Sequence, residues 1–199
     1  MRSNKGFTLV EMAIVLVIIG IILGAVIKGQ DLIAGAKEKK FKSEVDQLAT
    51  AYYTYFDKYS RVPGDDNKAT TRFTSPAGTA NGNNNGLIDA AGETAPATGA
   101  LDHLRRAGFL GDVAPATATA FTSSTPGVSI NFGSGTTAIW GNATNLIVVT
   151  GLSSDDMLTF DTKYDDGVVG TGKVRGIIAD GTIQTAYSEA NCLLAYSVK

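Results

Sequence analysis

The chain has 199 residues, of which 44% are hydrophobic and 18% charged, too apolar and too weakly charged for a disordered polymer. Its 17 Lys and Arg against 19 Asp and Glu leave a net charge of −2, with no basic excess to hold nucleic acid. One cysteine, Cys192, excludes an intrachain disulfide and a multi-cysteine zinc site, and one histidine, His103, excludes a two-histidine centre.

A polar leader, residues 1–6, carries Arg2 and Lys5. Residues 7–27 follow with Glu11 as their only ionisable side chain. About 20 predominantly apolar residues cross a bilayer core as a helix, so this run is a candidate transmembrane segment. Three readings compete for it. A cleaved signal peptide would end at Ala34-Gly35-Ala36, but Lys28, Gln30 and Asp31 interrupt the approach to that site. A plain signal anchor leaves orientation open, because Lys28, Lys37, Lys39, Lys40 and Lys42 balance Arg2 and Lys5 across the span.

The third reading rests on residues 5–11, Lys-Gly-Phe-Thr-Leu-Val-Glu. With the basic leader and the uncharged run, this segment resembles the processing site of type IV prepilins and the pseudopilins of type II secretion systems. The resemblance implies cleavage after Gly6 by prepilin peptidase, N-methylation of Phe7, and a role in assembly for Glu11. It is strong over residues 1–30, general over 31–60 and faint beyond. Cleavage would take the net charge from −2 to −4 by removing Arg2 and Lys5.

A carboxylate in hydrocarbon costs roughly 2.5–3.5 kcal/mol at a helix centre and less near an end, so Glu11 needs a partner. Thr8-x-x-Glu11 fits a capping box, which would satisfy it locally. Under the pilin resemblance the partner is the positive amine of Phe7 on a neighbouring subunit. Gly20-x-x-x-Gly24 lets helix backbones approach closely, or is incidental glycine in a membrane helix. Pilins often carry a proline near the end of this span, where the present chain has Lys28.

Beyond the span, Phe41, Val45, Leu48, Tyr52, Phe56 and Tyr59 recur at helical spacing, which predicts one helix from Thr8 to Tyr59, ended by Val62-Pro63-Gly64. The aromatic group, with Tyr53 and Tyr55 on the exposed side, suits packing against a head domain and subunit interfaces better than electron transport. Residues 64–100 read as a long loop rich in small and turn residues. A short helix is expected over 101–107. Strands are expected over 128–132, 138–140, 146–152, 174–178, 183–187 and 192–198, with Asp180-Gly181 as a hairpin turn. Ser153-Ser154-Asp155-Asp156 is a good start for a helix over 157–164. A long helix followed by short antiparallel strands is an α+β pattern.

Several head motifs invite chemistry. The run from Gly167 to Gly172-Lys173 matches most of a phosphate loop, but Val174 stands where Ser or Thr is needed. Asn81, Asn83 and Asn85 have the spacing of a calcium loop whose terminal ligand would fall on Gly92. Asp65-Asp66-Asn67 and the cluster Asp161, Asp165 and Asp166 are further calcium candidates, because some major pseudopilins bind calcium in the head. The alternative for all of them is turn chemistry. His103 reads as helix surface, and no constellation of residues specifies an enzyme.

The expected layout is a leader (1–6), a long helix (7–60, transmembrane over 7–27) and an α+β head (61–199) with an antiparallel sheet. The expected function is a structural subunit of a type II secretion pseudopilus or a type IV pilus. Its implied partners are itself, sibling pilins, prepilin peptidase, and an inner-membrane assembly platform with its ATPase. Before assembly it would sit in the inner membrane with a periplasmic head; afterwards it would lie in a pseudopilus or cell-surface filament. No cofactor beyond calcium is expected. The alternative is a membrane-anchored or secreted binding domain that does not polymerise.

Overall fold

The computed structural model describes residues 6–73, 81–88, 96–111, 121–123, 125–135, 143–177, 183, 186–187 and 193–198. Helix α1 (Leu9–Tyr59) runs through 51 residues without a break. It contains no proline and ends at Ser60, whose left-handed backbone (φ 51°) breaks the helical dihedrals just before Val62-Pro63. The chain divides into two units, Met1–Lys39 and Lys40–Lys199, and the boundary falls inside this helix.

In the first unit α1 is long and apolar enough to cross a membrane, and none of its most apolar stretch is buried. In the second unit the helix buries Phe41, Val45, Leu48, Ala51, Tyr52 and Tyr55. The expected stripe therefore holds up to Tyr52 and then departs. Phe56 is 47% exposed, whereas Tyr55 is fully buried and Tyr59 packs at the core margin. Spacings of three and four both satisfy a helix face, and here the buried line takes the three-residue step to Tyr55.

The 64–100 segment is not loop throughout. Helix α2 (Ala69–Arg72) lies within it, and α3 (Pro96–Arg106) starts five residues before the expected 101. Proline at the first helical position is favourable, since its missing N–H is an orphan there anyway. Helix α4 (Ser154–Tyr164) is capped by Ser153, whose hydroxyl accepts the Asp156 N–H at 3.1 Å.

The sheet has strands β1 (Phe121–Thr122), β2 (Ser129–Gly135), β3 (Thr144–Thr150), β4 (Val174–Ile177) and β5 (Leu193–Val198). Among the described residues its order is β1-β2-β3-β5-β4, every pair antiparallel. Alternation decides its faces. Ile130, Phe132, Ile147, Val149, Val174, Leu194 and Val198 join the core built on α1, α3 and α4, while Leu146, Ala195 and Ile177 form a small cluster on the other face. Ile183 contributes an isolated bridge to Ile177. The expected 138–140 strand, the Asp180-Gly181 turn, Cys192 and Gly92 lie outside the described residues.

A buried polar network ties the turn after α1 to the rest of the head. Tyr55 donates to Asp66 at 2.7 Å, the Arg72 guanidinium pairs with the same carboxylate, and the Gly64 N–H donates to His103 Nδ1 at 2.9 Å. Asp65 accepts the N–H groups of Asn85 (3.1 Å) and Gly86 (2.6 Å). Asn145 donates to the Tyr52 hydroxyl at 2.9 Å and to the Gly86 carbonyl at 3.0 Å. His103, Asp65 and Asp66 are thus interior groups, which for His103 corrects the helix-surface reading. Gly82 is required at its position, because a Cβ there would sit 2.2 Å from the Asp65 Cα.

Candidate functional site

The scissile bond expected between Gly6 and Phe7 lies in exposed, non-helical chain two residues before α1 begins. Phe7 is 80% exposed. Glu11 sits in the first turn of α1 and closes the capping box that Thr8 predicts. Its Oε2 accepts the Thr8 N–H and the Thr8 hydroxyl, both at 2.8 Å, while its own N–H donates to the Thr8 hydroxyl at 3.2 Å. Both carboxylate bonds use one oxygen, so Oε1 takes no bond among the described residues. The capping and assembly readings are therefore compatible in geometry: local bonds orient the carboxylate and one oxygen stays accessible.

Gly20 and Gly24 lie one helical turn apart on an exposed stretch, and a Cβ at either would meet nothing within 4 Å in this chain. No described residue of the protomer requires glycine there. The residues around them, from Leu9 to Ile33, include 16 large hydrophobic side chains that are exposed. This is the largest unpartnered apolar surface among the described residues.

In the head the calcium candidates separate into two groups. Asn81 accepts the Thr70 N–H at 3.0 Å, Asn83 the Asn85 N–H at 2.9 Å, and Asn85 the Leu87 N–H at 2.8 Å. These carbonyls do the work of turn residues, folding the loop onto Asp65 rather than converging on one point. Asp65 and Asp66 are likewise occupied by the buried network. Asp161, Asp165 and Asp166, by contrast, come together, with one carboxylate oxygen from each within 4.8 Å of the others.

That acidic group is held from several directions. Tyr187 donates to Asp161 Oδ2 at 2.9 Å, Val174 N–H to Asp165 at 2.8 Å, and Val168 N–H to Asp166 at 2.9 Å. Asp161 is fully buried and its Oδ1 has no hydrogen-bond partner among the described residues. Burial raises its pKa, whereas the Thr171 hydroxyl lowers that of Asp166. Gly172 lies against Asp165 with φ +69°, so the loop cannot carry a side chain there. Lys173 leads directly into β4, and the helix that a phosphate loop requires after its lysine is replaced by a strand.

Residues 1–27 match the family described as the prokaryotic N-terminal methylation motif, the prepilin-type cleavage and methylation motif of type IV pilins and pseudopilins. The motif supports a pilin-like substrate of prepilin peptidase, and the apolar helix behind it supports membrane anchoring. No curated protein and no solved structure matches the chain.

Proposed function

We propose that the protein is a structural filament subunit. Prepilin peptidase cuts it after Gly6, the new terminus is methylated at Phe7, and copies assemble through α1 into a type II secretion pseudopilus or a type IV pilus. The observation that carries this reading is Glu11, fixed one turn behind Phe7 with one oxygen accessible, at the head of an apolar helix that has no partner in its own unit.

Packing of α1 helices supplies most of the driving force, and the Glu11–amine pair sets register. A buried ion pair adds little net stability, but removing one partner strands the other charge at about 3–5 kcal/mol. Glu11→Ala is therefore expected to leave processing and membrane insertion intact while filament yield collapses; a normal yield refutes the role. Intact-mass analysis separates this reading from the non-polymerising one. A chain starting at methylated Phe7 supports a filament subunit, whereas a start at Met1 or Lys37 supports an anchor or a signal peptide.

A second reading concerns the head. Asp161, Asp165 and Asp166 form a fitting seat for calcium, which takes six to eight oxygens and prefers carboxylates, and the orphan Asp161 Oδ1 favours it. The ion would pin the 165–173 loop to α4. Calcium at ten times its dissociation constant should stabilise the head by about 1.4 kcal/mol, a Tm rise of roughly 3–5 °C. A Tm unmoved by both calcium and chelator disposes of the site.

A further inference from the structure

Within Lys40–Lys199, the large hydrophobic side chains exposed among the described residues are four: Tyr53, Phe56, Leu158 and Val168. They fall into two pairs. Tyr53 and Phe56, on α1, line a groove of about 690 Å³ together with Leu87, Thr144, Lys173 and Arg175. Among the described residues its charged lining residues, Lys173 and Arg175, are both cationic. Leu158 and Val168 line a shallower depression of about 360 Å³ together with Asp155 and Tyr187. The charge there is acidic: Asp155 lines the depression, and Asp156, next to it in sequence, is exposed.

Among the described residues the two surfaces share no lining residue, and the charges they carry are opposite in sign. One offers the exposed Tyr53 and Phe56 beside cations, the other the exposed Leu158 and Val168 beside a carboxylate. Complementary charge around an apolar centre fixes register and suppresses wrong partners. Two different patches that fit each other make a heterologous contact, which propagates along a chain of copies instead of closing into a two-fold dimer. A second copy of this chain is therefore the occupant that the charges select.

We propose that the Leu158–Val168 surface of one head docks into the Tyr53–Phe56 groove of the next copy, with Asp155 facing Lys173. This rests on the filament reading and adds to it the head surfaces through which successive copies touch.

The test uses the full chain in its native membranes, in a Cys192→Ser background, treated with a short bis-maleimide. A chain carrying both Phe56→Cys and Leu158→Cys should give a ladder of oligomers, because each copy meets a different site on its neighbour. Either substitution alone should give no dimer; dimers from the single variants would mean a two-fold contact and overturn the proposal. Lys173→Glu should reduce the ladder about tenfold, and Asp155→Lys added to the same chain should restore it. No restoration overturns the pairing. Linkage of the Phe56→Cys position to a different protein, without a ladder, also overturns it. Electron microscopy of the same cells keeps the two claims apart. Filaments without the ladder remove this contact and leave the proposed function standing, whereas absence of filaments in wild-type cells counts against the function itself.

Discussion

Residues 9–39 and 40–59 continue one another in α1, yet their apolar side chains answer to different surroundings. In the first stretch Leu16 is 70% and Ile21 68% exposed, and hydrophobic residues occur all round the helix. In the second, Leu48 is fully buried, and most of the apolar residues, Tyr53 and Phe56 excepted, keep to one face that packs against strands and helices of the same unit. A helix that is hydrophobic all round needs lipid or other helices, whereas a striped one needs a single core. The backbone hydrogen bonds are alike in both stretches; the side chains decide which solvent each requires.

That contrast is sharpest in paired truncations. Leu48→Ala removes a fully buried side chain from the main core and should cost the head about 2–5 kcal/mol. Ile18→Ala makes the same kind of change where the side chain is 51% exposed, so it should leave the head's unfolding transition where it was. Thermal unfolding of the full chain in detergent, followed by near-ultraviolet circular dichroism, reads both. A large loss from Ile18→Ala would mean that the first stretch packs on the head, and the comparison would fail.

Legibility in the sequence follows the same division. The membrane-type stretch and its processing site are written in consecutive residues, so a reading of residues 5–27 recovers them directly. The stripe from Phe41 to Tyr52 is equally local, and most strands announce themselves by alternation. What local pattern could not supply is long-range pairing. Asp65 reaches the backbone of Asn85 and Gly86, and Gly64 reaches His103 on α3. Short polar residues in Pro63-Gly64-Asp65-Asp66 and in the Asn-Gly run signal turns, but the signal does not say that the two turns meet inside the head. The same gap explains Tyr55. Its hydroxyl is drawn inward by Asp66, and burial together with that carboxylate raises its pKa far above the usual phenol range, so it remains a neutral donor. Asp161, Asp165 and Asp166 were legible as a cluster because they lie on one helical turn and its exit, where sequence proximity becomes spatial proximity.

The smallest effect compares two caps of one chemical design. Thr8-x-x-Glu11 opens α1, and Ser153-x-x-Asp156 opens α4; in each the hydroxyl accepts the N–H three residues on, and the carboxylate accepts the hydroxyl proton in return. α4 depends on its cap because it is a short helix that buries Met157 and Phe160 in the head core. Ser153→Ala should therefore cost head stability about 1 kcal/mol, with Ser153→Thr recovering most of it. Thr8→Ala removes the same bonds from a helix end outside the head's unit, so the head's Tm should not move. Its effect should fall on Glu11, which loses the hydroxyl that helps to orient it and keeps only the backbone N–H of residue 8, and should appear as fewer or less regular filaments. Equal Tm losses from the two alanine variants would show that the start of α1 is coupled to head folding, and the division of the helix into two regimes would have to be abandoned.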